Sequence, residues 1–325
     1  MPSSAKIDSI YRYPVKGLTP EPLARVALTP GQTLPADRRY AIENGPSGFD
    51  PAAPKWMPKP HFLMLMRDEW LAGLRTHFDD ASHVLTIRRN GEIAVRGNLE
   101  AAEGRAAVEN FFATAFAGQI KGPPKVLSGE RHSFSDVARK VVSIINLASV
   151  RAIENMVDYP VHPLRFRANL YVDTGRAWEE FDWVDQEIRL GDVTFRVDRR
   201  NGRCGATNVN PASGVRDMDI PGSLRASFGH KDLGVYLTVE TSGKIAVDDR
   251  LTRPFAAERT LAPATKLNGS AGRRFICRGC YYIYSEDAGV PADGITPGTT
   301  YQQLPENFRC PDCGTDKGKL RPHVA

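Results

Sequence analysis

Five cysteines carry the most chemical information in this chain of 325 residues. Four form two C-x-x-C pairs, Cys277-Arg-Gly-Cys280 and Cys310-Pro-Asp-Cys313. Two such turns bring four thiolates into a tetrahedral set, which suits Zn(II) or Fe. A disulfide framework is not expected in a reducing cytosol, so the paired turns read as metal binding. The fifth, Cys204, stands alone in Arg199-Arg-Asn-Gly-Arg203-Cys204-Gly-Ala-Thr207. A free cysteine is ordinarily a small buried hydrophobe. Glycines, an asparagine and arginines make poor core, however, and neighbouring cations stabilise a thiolate as nucleophile or metal ligand.

Mostly strands must position these residues. Ile7–Tyr13 alternates and ends at Pro14, and Ala24–Leu28 precedes the turn Pro30-Gly31. Val84–Arg96 has period-two patterning on both sides of Asn90-Gly91, a strong hairpin signal. Five prolines make 46–60 a loop. Residues 62–78 fit strand or helix, and Glu100–Phe116 is rich in helix formers. Val141–Ile145 reads as a strand, with Asn146 as cap of a helix Leu147–Val157. Asn169–Val172 reads as a strand. Glu187–Val197 reads as two short strands about a Gly-Asp turn, and Leu233–Glu240 with Lys244–Val247 as a hairpin. The pattern predicts a mostly β body with few helices, a barrel rather than a βαβ sheet. Residues 257–272 are small, polar and unpatterned, a linker. The segment 273–325 is too short for a stable core without a staple, which the cysteines supply.

Composition narrows the function. Hydrophobic residues are 41% and charged residues 25%, which is globular. Net charge is +5 without a run of like charges, so a local anion site is expected rather than a nucleic-acid surface. The apolar stretch Val141–Val150 is too short to span a bilayer. The start, Met-Pro-Ser-Ser-Ala-Lys, lacks the apolar core of a signal peptide, so a cytoplasmic protein without membrane association is expected. No G-x-G-x-x-G follows a strand and no Walker A occurs, so the chain is not expected to bind NAD(P)H itself. Neither G-x-S-x-G nor H-E-x-x-H occurs, which sets hydrolysis aside.

The C-terminal segment resembles rubredoxin. Residues 281–309 separate the two cysteine pairs, more than the roughly 15–20 of a zinc ribbon. They carry Tyr282-Ile-Tyr284, Pro297-Gly298-Thr299 and Leu304-Pro305 in the rubredoxin order, and Cys310-Pro-x-Cys313-Gly314 follows. Tyr281 stands where rubredoxins usually have Gly, Phe308 where they have Trp, and Leu320 where they have a late Phe. Residues 271–325 hold seven Arg+Lys and six Asp+Glu, about +1, whereas rubredoxins tend to be acidic. The resemblance implies one Fe held by Cys277, Cys280, Cys310 and Cys313, passing single electrons.

The rest of the chain resembles the MOSC family, the domain related to the C-terminal part of molybdenum-cofactor sulfurase. Arg203-Cys204, Thr207 and Val209-Asn210-Pro211 with Gly214 follow its cysteine motif, with Asn210 for the usual Asp. Tyr13-Pro-Val-Lys16 and Asp37-Arg38 resemble segments of the N-terminal β-barrel domain that accompanies it. Arg165-Phe-Arg167-Ala168-Asn169 resembles Arg-Phe-Arg-Pro-Asn, and Asn146-Leu-Ala-Ser149 the start of the family's helix. Gly243–Asp249 resembles its closing segment, with Asp248 for Gly.

The resemblance implies an N-terminal β-barrel domain at 1–120, a MOSC β-barrel domain at 121–256, and a rubredoxin-like domain at 273–325. It implies molybdenum cofactor (molybdopterin) as the ligand, with Cys204 as catalytic residue and thiolate ligand to Mo. Lys16, Arg38, Asn146, Ser149, Arg167, Asn169 and Arg203 would bind the anionic pterin; arginine grips phosphate bidentately and lysine acts as a point charge. Each arginine taken alone is a solvated surface charge, but Arg167, flanked by Leu164, Phe166 and Leu170, reads as a half-buried strand residue in need of a partner. The function implied is a molybdenum-dependent oxidoreductase. It would reduce N-hydroxylated or S-oxide small molecules by oxygen-atom transfer, its rubredoxin iron reloaded by an external reductase. Pyridoxal phosphate is expected to play no part. Two other readings stand beside it: sulfur transfer through a Cys204 persulfide, and a molybdenum-cofactor carrier with a structural zinc ribbon.

Overall fold

The computed structural model describes residues 5–253, 273–277, 283–311 and 314–323. The expected linker, Cys280, Tyr281 and Cys313 lie outside the described residues. The described residues contain three α-helices, Ala102–Ala115 (α1), Leu147–Val157 (α2) and Ile220–Phe228 (α3); everything else regular is strand or a short 3-10 turn.

Eight strands make the largest sheet. Their spatial order is Leu251–Thr252, Glu187–Leu190, Val193–Gly202, Asp232–Val239, Val142–Asn146, Leu170–Val172, Ile7–Arg12, Glu21–Leu23. The first strand of the chain thus pairs antiparallel with Leu170–Val172, so the N-terminal segment completes a sheet built mainly from residues 142–252. Ala5, Ile7, Ile10, Val26, Leu28 and Leu34 are buried in that same core. A second core is built from residues 15–126: Tyr40, Ile42, Leu63, Leu71 and Phe78 pack with Val108 and Phe112 of α1. Its hairpin Val84–Arg89 and Glu92–Asn98 turns at Asn90 and Gly91, both at positive φ, as the sequence predicts.

Three local expectations change. Val142–Asn146 and Leu170–Val172 are parallel neighbours joined through α2, so one βαβ unit sits inside the otherwise antiparallel sheet. Gly243–Ala246 does not pair with Asp232–Val239; it pairs with Arg25–Leu28. Both edges of Asp232–Val239 are already occupied, by Val193–Gly202 and Val142–Asn146, which leaves the returning strand no ladder there. Arg167 is not on a strand. It follows the 3-10 turn Pro163–Phe166 with φ 51°, in the left-handed region.

Capping follows expectation. The Asn146 side chain accepts from Ala148 N at 3.2 Å and starts α2 where the sequence places it. Asp248, standing where the family has Gly, has φ 71°, the conformation glycine adopts without strain.

The C-terminal segment is a three-stranded sheet in the order Ile283–Ser285, Arg274–Cys277, Leu320–His323. Phe275 stacks on Tyr301 with ring centroids 4.4 Å apart, and Phe308 packs on Tyr284 at 5.9 Å. Leu320 is buried with them.

Candidate functional site

A cavity of about 320 Å³ lies between the two cores, lined by cations from five separate segments. Two from the N-terminal part, Lys16 and Arg38, sit on tight turns. The Lys16 ammonium donates to Phe134 O at 2.8 Å and to the Asp136 carboxylate. Burial lowers its pKa, against the pull of Asp136. Arg38, at φ 50°, donates to Asp37 and, at 2.9 Å, to the main-chain carbonyl of Arg167. Such left-handed non-glycine residues cost roughly 1–2 kcal/mol each.

Arg167 and Arg38 share a tyrosine. The guanidinium carbons stand 4.3 Å (Arg167) and 4.4 Å (Arg38) from the centroid of the buried Tyr13 ring. Burial raises the Tyr13 hydroxyl pKa to about 12, so the ring stays neutral and its π-face carries the attraction. Among the described residues the Arg167 guanidinium has no hydrogen bond and no ion pair. Burial depresses its pKa to about 10. A half-buried guanidinium without an ion pair is incompletely compensated, and an anionic ligand in the cavity would satisfy it.

Arg203 is held differently. Its Nε donates to Leu233 O at 2.8 Å, Nη2 reaches the same carbonyl, and Nη1 donates to Phe166 O at 2.9 Å. The carbonyl is presented by a kink in Asp232–Val239, where Gly234 has φ 73° and any side chain would strike Ile144 O at 2.3 Å. The register slips between Arg200 and Gly202 at this point. Arg203 therefore positions the next residue, Cys204, at the end of the long strand Val193–Gly202. Thr207 N and Oγ1 both donate to Cys204 O, at 3.0 and 2.9 Å, and close the turn that follows. Cys204 is partly exposed and lines the cavity.

Not every expected residue reaches the cavity. Lys16, Arg38, Arg167, Asn169, Arg203 and Cys204 line it; Asn146 and Ser149 do not. Asn146 caps α2 and donates to Thr174 Oγ1 at 2.9 Å and Arg176 O at 2.7 Å. Ser149 donates to Glu180 Oε2 at 2.8 Å and accepts from Trp178 N at 2.8 Å. Both are fully buried, and their bonds are spent on the fold. Asn169 lines the wall, but its oxygen accepts from Ser143 N at 3.1 Å and its amide donates to Tyr11 O at 3.2 Å, stitching two strands together. Asn210, replacing the usual acid, accepts from Ala212 N at 2.9 Å and shapes a turn.

Residues outside the expected set also converge. Tyr13 and Asp37 lay within the quoted motifs, as ring and acid beside the basic positions. Lys59 and Asp136 gave no signal, being single charges in loops. Lys59 Nζ lies 3.9 Å from Asp136. Partial burial opposes ionisation of Asp136, but the charges of Lys16 and Lys59 outweigh it and hold the carboxyl well below the usual range.

The cysteine-rich segment meets this site. Met64 and Met66 are buried in one hydrophobic cluster with Phe275, Cys277, Tyr284, Phe308 and Cys310, and Cys204 and Ala206 pack against that cluster. Arg216 ties the Cys204 turn to the methionine segment, donating to Gly205 O at 3.0 Å and Met66 O at 2.8 Å. Cys277 and Cys310 are buried at 0% and 1% exposure. Cys310 N donates to Thr315 O and Gly314 N to Cys310 O, both at 2.8 Å, forming a knuckle turn.

The donor sets suit the two groups the fold implies. The inter-core cavity offers cations and a thiol, as an anionic dithiolene pterin requires. Two buried thiols near a knuckle turn suit a thiolate-bound iron.

Comparison with known proteins finds three families along the chain. The family model for the MOSC N-terminal beta barrel domain matches residues 4–123, that for the MOSC domain residues 129–252, and that for rubredoxin residues 274–320. A probable rubredoxin of Methanothermobacter thermautotrophicus is 44% identical over 59 residues, 18% of this chain and 94% of its own length. Rubredoxin-1 of Pseudomonas putida is 31% identical over 125 residues, 33% of this chain and 71% of its own. A molybdenum cofactor sulfurase of Drosophila mojavensis is 32% identical over 115 residues, 34% of this chain, and the chain spans only 14% of that protein. None of the described helices is long and apolar enough to cross a membrane. With a MOSC N-terminal barrel, a MOSC domain and a rubredoxin domain matched in order along one polypeptide, the chain belongs to the MOSC-domain proteins and is a fusion of that pair to a rubredoxin.

Proposed function

We propose that this protein is a molybdenum-cofactor-dependent oxidoreductase that reduces N-hydroxylated or S-oxide small molecules with electrons from its own rubredoxin domain. When bound, the cofactor supplies oxygen-atom transfer and the iron supplies single electrons. Arg167 and Arg38 hold the anionic end of the cofactor, with Lys16 and Lys59 as further positive charge. Cys204 presents its thiolate to the metal from a turn fixed by Arg203 and Thr207. Cys277, Cys280, Cys310 and Cys313 hold the iron. The observation that carries this reading is the shared packing of Cys204 and the iron domain's core on Met64 and Met66, which gives electrons a short route within one chain. A separate reductase of the cell reloads the iron, and a molybdenum- and iron-bearing pair has no other evident use for that proximity.

A second reading has its own support, because the MOSC-region relatives are named molybdenum cofactor sulfurases. On that reading Cys204 carries a persulfide and transfers sulfur. The two separate by elemental analysis of protein made in a host that synthesises molybdenum cofactor. About one Mo and one Fe per chain, with turnover of an S-oxide by reduced rubredoxin iron, supports the oxidoreductase. Zn in place of Fe from iron-replete cells, with no Mo and a cyanolysable sulfur on Cys204, supports the alternative.

A further inference from the structure

The cavity beside Cys204 has a neighbour. A second cavity of about 350 Å³ shares Gly17, Leu65, Arg165, Arg167 and Ala206 with it. The rest of its wall is largely apolar, with Leu18, Leu71 and Ala72 on one side and Leu164, Val209 and the exposed Ala212 also lining it. Among the described residues no carboxylate lines it. Its cations differ in what they still offer. Arg75 is spent on main-chain carbonyls, donating to Ala72 O at 2.5 Å and Ala212 O at 3.1 Å. Arg165 is paired with Asp217 at 2.7 Å, yet its buried Nε has no partner. Arg167 has neither hydrogen bond nor ion pair. Both incompletely used guanidiniums stand on the wall common to the two cavities.

We propose that this second cavity is the substrate subsite, holding the aromatic or similarly bulky apolar body of a neutral or anionic N-hydroxylated or S-oxide compound while its oxygen-bearing end reaches past Arg165 and Arg167 toward Cys204. The inference rests on the oxidoreductase reading and adds its substrate class. Size fits: an apolar cavity of roughly 150 Å³ accommodates benzene, and small-molecule sites run from about 300 to 1,000 Å³. Charge fits too, since a cation would meet three guanidiniums and no lining carboxylate.

The test is calorimetric titration of the cofactor-loaded full chain, without reductant, with methyl phenyl sulfoxide, dimethyl sulfoxide and benzyltrimethylammonium. The aryl sulfoxide is expected to bind at least about tenfold more tightly than dimethyl sulfoxide, because only it buries a ring. The cation is expected not to compete. Ala212→Trp fills the cavity from its exposed rim and should weaken aryl binding at least about tenfold while Mo content and dimethyl sulfoxide binding stay unchanged. Leu164→Gln makes the wall polar and should act in the same direction if Ala212→Trp does not yield soluble protein. Aryl binding unaltered in both variants overturns the subsite. So does a fall in Mo content that parallels the loss of aryl binding, which would assign the cavity to the cofactor. Tight, Ala212-sensitive aryl binding without any reduction retains the subsite and removes the oxidoreductase reading. Reduction with an unchanged aryl KM in Ala212→Trp does the reverse.

Discussion

Arg38 Nη2 donates a 2.9 Å hydrogen bond to the main-chain carbonyl of Arg167, and both guanidiniums stand over one ring, that of Tyr13. Two like charges from distant parts of the chain are thereby held together in a partly buried cavity. Both residues sit at positive φ. Such geometry persists only where the surrounding structure holds it, here through the hydrogen bond between the two residues and their shared ring.

Arg167→Met should therefore separate stability from ligand binding. It removes a partly desolvated charge that has no ion pair and only the Tyr13 ring for partner, so the melting temperature of the ligand-free protein should stay nearly level. Mo retained after purification should fall roughly tenfold or more, the loss of one charge-assisted contact of about 1.5–3 kcal/mol. Differential scanning fluorimetry and elemental analysis read the two effects. A large drop in melting temperature would show instead that Arg167 serves the fold.

Asp136 occupies cations that an anion would use. Its carboxylate bonds Lys16 and lies near Lys59, with half its side chain exposed. Asp136→Asn should raise the affinity for inorganic phosphate several-fold at low salt, and the gain should shrink as ionic strength rises. Titration calorimetry on ligand-free protein measures it. Unchanged phosphate affinity would place anion binding elsewhere.

The thiols divide the redox functions. Cys204→Ser should abolish turnover and alter or remove Mo, leaving the visible absorption of the iron unchanged. Cys310→Ala should remove the iron and stop turnover with a protein electron donor, yet leave turnover with a small chemical reductant. Cys204→Ser with full activity and normal Mo would end the proposed role of that thiol.

Glu180 is fully buried, one oxygen accepting from Ser149 and the other without a partner. Burial raises its pKa to about 7. The folded state thus keeps a proton that the unfolded chain has lost. This group's contribution to stability is greatest below the unfolded carboxylate pKa, declines as pH rises toward about 7, and is flat above. The slope in that window is at most about 1.4 kcal/mol per pH unit. Glu180→Gln, uncharged throughout, should flatten it. Urea unfolding between pH 5 and 8 tests the sign, and an unchanged slope would assign the dependence to other groups.

Much of this was legible from residue types and spacing. The two C-x-x-C pairs and the ordered motifs around Lys16, Arg38, Arg167 and Cys204 are local in sequence, and local chemistry reads from local sequence. The Asn90-Gly91 hairpin and the Asn146 cap are likewise set within a few residues. What tertiary structure decided was pairing and vacancy. Whether Gly243–Ala246 joined Asp232–Val239 depended on which edges were already filled, and the partner proved to be Arg25–Leu28. Asn146 and Ser149 belong to the same motif set as Cys204, but only the folded chain shows their bonds spent on Thr174, Trp178 and Glu180. Lys59 and Asp136 carry no sequence signature, because an isolated charge gains meaning only from the charges brought near it. Cys204 stood out from its sequence neighbours as a candidate ligand. Its packing against the same methionines as the iron domain is a property of three segments meeting, which no one of them encodes alone.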